Sequence, residues 1–528
     1  MRTLTEMVPM RDGIHLCTNV YLPDADKKYA VILARNPYVL QNDEAQIQRD
    51  GANSAEFVNH DFIVVYQHCR GKGSSEGVFY PFCGEREDGL DTIAWIEKQP
   101  WCNGDVYLWG GSYLSYVHLS YLDALPASVR GAALAVMCDD PADAFYKGGA
   151  YKADLLPIWY TGVCNAVERV EDPAKAYREH WRKRPAADYT KYVFGSVIGQ
   201  FNDLFLCGRD GAEACPGSFS QAAHASEKVR VPVLFLDGWS EMFFSGMAKM
   251  WDRLPAQTRE RSAFVVGPWS HGDFVCDYWK YPFTHGNDKN FGRTCMEWFL
   301  HLRDGTPLSM VTEGKLNYYH AGKDAWETSD TFPVGKTVKR FFLSPEGLSD
   351  SMPAGGQWNY TFDPDDPAEF PGGPNTFCTG EVGHAVQPAP DFRSDVKSFM
   401  TEPLSHPLDM AGVVRASLVV GSDCPASMFL CRLSVVAEDG TATLIQDGPC
   451  VVDSFQSGQP RRIFCDMGPV CWQILPGQRL RLDVTSSDAH SYRVHTNTQG
   501  DWWEQTQARV AHNSVYFGDS VLEIPVND

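Results

Sequence analysis

The sequence predicts an α/β protein whose parallel-sheet domain is interrupted by a helical insertion and followed by an all-β domain. Three observations carry this. Up to residue 139, short apolar runs rich in β-branched residues alternate with amphipathic stretches, as expected of strands buried on both faces of a parallel sheet. The alternation lapses over 140–225 and returns at Val229. From about residue 331 helical signals fade, and short runs punctuated by Gly, Pro, Asp and Asn take over.

In chain order, Ala30–Ala34 and Phe62–Tyr66 are the first two strands, with a polar helix over Asp43–Asn59 between them. Glu85–Lys98 carries Leu90, Ile93, Ala94 and Ile96 at helical spacing. Val106–Trp109 is a strand, Ser115–Leu125 a helix stopped near Pro126, and Gly131–Met137 another strand. The middle block holds helices around Ala153–Ala166, Pro173–Lys183 and Ser196–Phe205, with many aromatics, and fits an insertion rather than a separate module. Val231–Leu236 and Ser262–Val266 resume the sheet, and Cys295–Arg303 is a helix. Arg340–Leu343, Ala416–Val420, Leu430–Val436, Leu480–Val484 and Ser514–Phe517 are strands of a sandwich or jelly roll, with a Pro/Gly/Asp-rich excursion over 352–392. The predicted division is 1–139 and 226–330 for the two parts of the α/β domain, 140–225 for a helical cap, and 331–528 for the jelly roll.

Composition narrows the function. With 44% hydrophobic and 21% charged residues, a disordered, collagen-like or membrane-embedded chain is excluded. A net charge of −21 repels phosphate backbones, so nucleic acid is not an expected partner. The 16 cysteines are scattered, with no CxxC pair and no zinc-ligand spacing. No metal or organic cofactor is expected, and the thiols should be mostly reduced. The N-terminal residues lack the apolar core of a signal peptide, and the apolar runs are strand-sized, so a cytoplasmic protein without a membrane partner is expected.

The chemistry lies in Val106-Tyr-Leu-Trp-Gly-Gly-Ser-Tyr-Leu-Ser115, a strand running into Gly110-Gly111-Ser112 and then a helix. This is the context of a nucleophile elbow, where a serine on a sharp turn needs small neighbours. Gly110 meets that need two residues before Ser112, whereas Leu114 breaks the GxSxG pattern two residues after it. A serine nucleophile needs a base and an acid to orient it, and in such folds the chain order is Ser, Asp or Glu, His. Asp237-Gly-Trp-Ser-Glu241 follows one later strand and Gly267-Pro-Trp-Ser-His271 the next, both at the ends where open α/β sheets build their sites.

These segments, with Met10-Arg-Asp-Gly-Ile-His15, Arg35-Asn-Pro-Tyr38, Arg70-Gly-Lys-Gly-Ser-Ser-Glu-Gly77, Gly238-Trp-Ser-Glu-Met-Phe243 and Asn513-Ser-Val-Tyr-Phe-Gly518, resemble in order the cocaine esterase-like (CocE/NonD) hydrolases. That family is related to X-Pro dipeptidyl-peptidases and α-amino acid ester hydrolases. The resemblance implies an α/β-hydrolase domain, a helical cap and a C-terminal jelly roll, and a small-molecule ester or amide substrate. It matches Ser112 to the nucleophile, His271 to the general base, Tyr38 to a hydroxyl donor to the oxyanion, and the Tyr113 amide to the second donor. Glu241 stands where the family has Asp; Asp237, four residues earlier, is the alternative acid. His68 likewise replaces a usual Asp. Trp159, Trp239, Phe243 and Trp269 are candidates for the substrate pocket, with core packing the competing reading for each. Asp139, Asp140 and Asp143 would bind a substrate ammonium or, more simply, cap a helix. Gly71–Gly77 misses both nucleotide-binding spacings and is a Gly-rich turn. Aminopeptidase-like or acyltransferase activity on the same triad, and a non-catalytic carbohydrate- or ligand-binding protein, are the alternatives. A homodimer is common among relatives of this size.

Overall fold

The computed structural model describes residues 1–40, 42–163, 170–209, 215, 217–271, 274–277, 279–374, 381–456 and 459–527. The N-terminal body is a ten-stranded sheet built from β1 (Arg2–Pro9), β2 (His15–Leu22), β3 (Tyr29–Asn36), β4 (Phe62–His68), β5 (Cys102–Gly111), β6 (Val129–Ala135), β9 (Val233–Gly238), β10 (Ala263–Gly267), β11 (Leu316–His320) and β12 (Ala325–Ser329); β7 (Tyr146–Lys147) and β8 (Ala150–Tyr151) form a separate small hairpin. The order across the sheet is β1-β2-β4-β3-β5-β6-β9-β10-β11-β12. The centre, from β4 to β11, is parallel, and antiparallel strands close both edges.

Burial on both faces explains the continuous apolar runs. Every residue of β3, β4, β9 and β10 is buried. Alternate side chains serve opposite faces. Ile32, Val64 and Leu234 pack with Phe57 of α1 (Asp43–Asn59), whereas Val31, Leu33 and Val65 pack with Ile93 of α2 (Glu85–Ile96) and Val117 of α3 (Tyr113–Leu119). Asn42 caps α1 by accepting from Ala45 N at 2.9 Å. The helix expected over Ser115–Leu125 begins at the elbow and is shorter; the chain leaves it at Ser120, whose hydroxyl turns back onto Val117 O, and a 3₁₀ turn follows over Leu122–Ala124.

The insertion carries α4 (Pro141–Phe145), α5 (Leu155–Val163), α6 (Pro173–His180), α7 (Tyr189–Phe194), α8 (Gly199–Phe205) and α9 (Ser218–Ala222). The end of the helix expected to Ala166 lies outside the described residues. Cys207 and Cys215 are disulfide-bonded; the other twelve described cysteines are free. After β9 come α10 (Phe244–Arg253) and α11 (Ala256–Arg259), and after β10 comes α12 (Phe291–Asp304). The face of α12 toward the sheet adds Trp298 and Phe299 to the Phe57 cluster.

The C-terminal region is all antiparallel: β13 (Thr337–Ser344), β14 (Gly347–Ser349), β15 (Gln357–Phe362), β16 (Lys397–Met400), β17 (Leu408–Ser422), β18 (Ser427–Val436), β19 (Ala442–Val452), β20 (Arg461–Ile474), β21 (Arg479–Thr485) and β22 (Ala511–Val526). One sheet runs β14-β13-β22-β17-β20 with β15 on β22, the other β16-β21-β18-β19. Their inner faces share one core, with Val414, Ala416 and Leu418 from the first sheet and Phe429, Cys431 and Leu433 from the second.

This region grips the α/β body through polar contacts. Gln446 Nε2 donates to Trp239 O, and Lys147 Nζ donates to Asp447 O at 2.7 Å. Ala153 N donates to Ser491 O at 3.1 Å, beside a β-bridge between Lys152 and Tyr492. Among the described residues, no helix is long and apolar enough to cross a membrane.

Candidate active site

Ser112 sits between β5 and α3 with φ 55° and ψ −128°, a conformation an L-residue holds only under constraint. The constraint comes from both sides. Ser112 N donates to Ala135 O at 2.9 Å, on the neighbouring strand β6. Ser115 Oγ lies 2.7 Å from Gly110 O and accepts from Ala135 N at 2.8 Å, so the third residue after Ser112 stitches the turn to the sheet. Gly110 allows the close approach: a Cβ there would lie 2.2 Å from Leu114 O. Gly111 is not crowded, with its nearest neighbours at 4.0 Å. Leu114 is tolerated because its side chain lines open space beside the elbow.

Ser112 Oγ lies 3.1 Å from His271 Nε2. His271 follows β10, and its Nδ1 is hydrogen-bonded to Glu241 Oε1. Glu241 Oε2 accepts from Phe243 N at 2.5 Å, and its side chain is wholly buried. The longer glutamate arm is thus held at both oxygens. Asp237 is fully buried at the end of β9, and its Oδ1 accepts from Gly238 N at 2.7 Å. It neighbours Glu241, and burial together with the Glu241 carboxylate pushes its carboxyl well above the ordinary range. Next to this pair Lys152 Nζ donates to Met242 O at 2.6 Å and Asp143 O at 2.7 Å; burial depresses its pKa to about 8.

Two donors converge beside Ser112. The Tyr38 hydroxyl lies beside the Ser112 side chain and the Tyr113 amide, and it accepts from Trp159 Nε1 at 2.9 Å. Burial pushes the phenol up to about 12, so it keeps its proton to donate. Its loop is tied at both ends of the residue: Tyr38 N donates to Asn36 Oδ1 at 2.8 Å, and Arg49 Nη2 donates to Tyr38 O. The Tyr113 ring is pinned too, since its hydroxyl donates to Glu85 at 3.1 Å and accepts from Phe82 N at 2.8 Å.

Glu85 is in turn paired with Arg35 at 2.8 Å, both buried, and Arg70 pairs with Asp88 at 2.6 Å and Asp12 at 2.8 Å. This network under the elbow went unread in the sequence as a unit, although Arg35 and Arg70 both stand in the segments that carry the resemblance. The Gly-rich turn does what its composition implies: a Cβ at Gly71 would lie 2.2 Å from Phe79 N. His68 is buried in the same layer, 3.8 Å from Asp50.

A cavity of about 170 Å³ opens at Ser112 and His271. Phe82, Phe145, Leu156, Trp159 and Phe243 line it together with Tyr38 and Tyr113. Of the four aromatic candidates, Trp159 and Phe243 line this cavity and Trp239 and Trp269 do not. Trp239 donates from Nε1 to Tyr319 O at 2.7 Å and packs on Phe244; Trp269 is buried against Phe274 and Trp326. Tryptophans two residues before Glu241 and His271 point into the sheet ends instead, where a Cβ at Gly238 or Gly267 would collide with Trp269. Asp140 caps α4 by accepting from Ala142 N at 2.9 Å, Asp139 pairs with Arg253 and Ser226, and Asp143 with Lys249. None of the three lines the cavity. Among the described residues no group of His, Cys, Asp and Glu is arranged to hold a metal ion.

Comparison with known proteins places this geometry. Residues 12–273 match the model of the X-Pro dipeptidyl-peptidase (S15) family, and residues 310–520 match the X-Pro dipeptidyl-peptidase C-terminal non-catalytic domain. The cocaine esterase of Rhodococcus sp. (strain MB1 Bresler) is 28% identical over 94% of this chain and 92% of its own. Among solved structures, an α-amino acid ester hydrolase superposes with a TM-score of 0.81 at 20% identity, covering 100% of this chain and 96% of its own. An aminopeptidase from the marine sediment archaeon Thaumarchaeota archaeon gives 0.80 at 21% identity over the same shares. At these identities the two structures establish the α/β-hydrolase fold with its β-rich C-terminal domain, and the family models and the esterase relative establish the chemistry. The chain belongs to the CocE/NonD-like serine hydrolases, relatives of the X-Pro dipeptidyl-peptidases, and cleaves carboxylic esters or amides.

Proposed function

We propose that the protein is an esterase for uncharged, apolar acyl groups, with Ser112 as nucleophile, His271 as general base and Glu241 as the acid that orients it. Ser112 attacks the carbonyl carbon while His271 takes its proton. Glu241 holds the Nδ1–H tautomer and stabilises the imidazolium. The Tyr38 hydroxyl and the Tyr113 amide donate to the oxyanion, whose charge develops only on the way to the tetrahedral intermediate. His271 passes the proton to the departing alkoxide, then draws one from a water that releases the acid from Ser112.

The observation that carries this reading is the unbroken chain from Ser112 through His271 to Glu241 beside an apolar cavity that Tyr38 also lines. Among the described residues no carboxylate lines that cavity, which favours an uncharged acyl group over an aminoacyl one. A jelly-roll connectivity for 331–528, a cap over 140–225 and a cytoplasmic location belong to the same proposal; among the described residues, the two antiparallel sheets, the six inserted helices and the twelve free thiols support them respectively.

The test is hydrolysis of p-nitrophenyl acetate, butyrate and benzoate, and of aminoacyl esters with free and blocked amines, by the wild type and Ser112→Ala. Ser112-dependent turnover with preference for acyl groups lacking a free amine is expected. A free-amine preference would move the protein to aminoacyl substrates; equal rates in both proteins would remove Ser112 as nucleophile. Turnover and fluorophosphonate labelling both absent would favour a binding protein.

A further inference from the structure

Ser112 and His271 border two cavities, not one. The second has a volume of about 520 Å³ and lies on the α1 and α12 side of the elbow, away from Tyr38 and Tyr113. Its walls are Phe57, Trp109, Phe274, Phe291 and Met296. The aromatic rings support one another: Phe274 stacks on Phe291 at 4.7 Å between centroids, and Phe57 meets Trp109 edge-on at 4.9 Å. Asn53, Glu56 and Gly292, all exposed, stand at its solvent edge.

We infer that this chamber is the leaving-group site, and that the protein takes esters of bulky apolar alcohols, of naphthylmethyl size and shape. The inference deepens the esterase reading above and rests on it. The two halves of an ester have different fates. The acyl group stays bonded to Ser112 through the intermediate, so the smaller cavity walled by the cap suits it. The alcohol must accept a proton from His271 and depart, so a chamber with His271 on its wall and an exposed edge suits the alcohol. In the step itself, Ser112 Oγ bonds to the acyl carbon, the bond from that carbon to the alcohol oxygen breaks, and the serine proton passes through His271 to the alkoxide. The alcohol then leaves between α1 and α12. Aromatic walls favour a ligand that buries flat apolar area over a hydrated short alcohol.

Gly292 offers a way to fill the chamber without strain, since a Cβ there meets only Asn290 Oδ1 at 3.5 Å. The experiment compares methyl, benzyl and 2-naphthylmethyl butyrate with the wild type, Gly292→Phe and the smaller filler Gly292→Leu, and measures inhibition by 2-naphthylmethanol. Expected is a wild-type kcat/KM at least tenfold higher for the naphthylmethyl ester than for the methyl ester. Gly292→Phe should lower that ratio at least tenfold and raise the inhibition constant of 2-naphthylmethanol similarly, with Gly292→Leu between. Ser112-dependent turnover with no preference for the larger alcohol, or a preference and inhibition constant that both fillers leave intact, would overturn the chamber's role while leaving the esterase reading in place. Loss of Ser112 dependence for every ester would overturn the esterase reading, and the chamber's role with it.

Discussion

Replacing Tyr38 by phenylalanine removes one oxygen from the site and leaves the ring that fills the space. The lost hydroxyl is one of two donors aimed beside Ser112, and a single oxyanion donor in a buried site contributes ~3–4 kcal/mol to transition-state stabilisation. That predicts a fall in kcat of about 10²–10³-fold, with KM changed much less, because the donor acts on charge absent from the ground state. A stability cost comes with it: Trp159 Nε1, now 2.9 Å from the hydroxyl, is left without that acceptor, at roughly 1–3 kcal/mol. The assay is steady-state hydrolysis of p-nitrophenyl butyrate, with urea denaturation of the same variant to account for folding. Burial holds the phenol at about 12, so the wild-type kcat should also lack any loss attributable to a tyrosine below pH 10. A folded Tyr38→Phe variant that keeps more than about a fifth of the wild-type kcat would refute Tyr38 as an oxyanion donor.

Three further outcomes follow from the geometry. Asp237→Asn keeps the shape of a side chain that neighbours Glu241 and should retain kcat within about tenfold, whereas Glu241→Gln leaves His271 without its carboxylate and should lose about 10³–10⁴-fold; the reverse order would make Asp237 the acid. Gly110→Ala places a Cβ 2.2 Å from Leu114 O and should destabilise the protein by about 2–3 kcal/mol and abolish turnover, read from urea unfolding and the ester assay together. His118 and His384, both buried, and the half-buried His495 are held neutral, with desolvation lowering them to about 3, 4 and 4. The unfolded chain therefore takes up protons first as the pH falls below ~6.5, so their contribution is intact above that pH and declines toward pH 4. His68 works the other way: although burial opposes its charge, the nearby Asp50 and Cys17 raise it to about 9, and the stability it adds declines as the pH rises from ~6.5 to 9. A urea midpoint as high at pH 5 as at pH 7, or a drop that His384→Leu does not reduce, would contradict the histidine assignment.

The central sheet was legible because burial on both faces leaves continuous runs such as Tyr29–Ala34 that cannot belong to an exposed element. The edges were not. β1 is exposed at seven of its eight positions, so Thr, Glu and Met there carry no hydrophobic pattern; its place is fixed only by pairing with β2. β19 and β20 contain Gly448-Pro449 and Gly468-Pro469, which read as breaks, yet both strands run through them, and β17 shifts register against β20 between Val414 and Arg415. At the site, chain order and strand ends singled out Ser112, His271 and Glu241, which the structure brings into one hydrogen-bonded row, because loops at the carboxyl ends of strands must converge. The direction of each tryptophan was not legible, since Trp159 on an inserted helix and Trp239 beside Glu241 differ only in which wall they face. Nor was the second chamber, whose walls come from α1, β5, Phe274 and α12, which are far apart in sequence.

The acid loop is held from outside its own domain. Gln446 of β19 grasps the carbonyl of Trp239, two residues before Glu241, and Lys152 beside the β-bridge to Tyr492 grasps the carbonyl of Met242, one residue after it. Homologous recombination that exchanged only the C-terminal region would leave every reacting group in place and still replace one of the two anchors that aim the histidine. The partner sequences that can drift independently are thus not the two matched family segments. They are blocks cut so that Gln446 travels with the loop it holds, and a chimaera assembled across that contact should fold while turning over slowly.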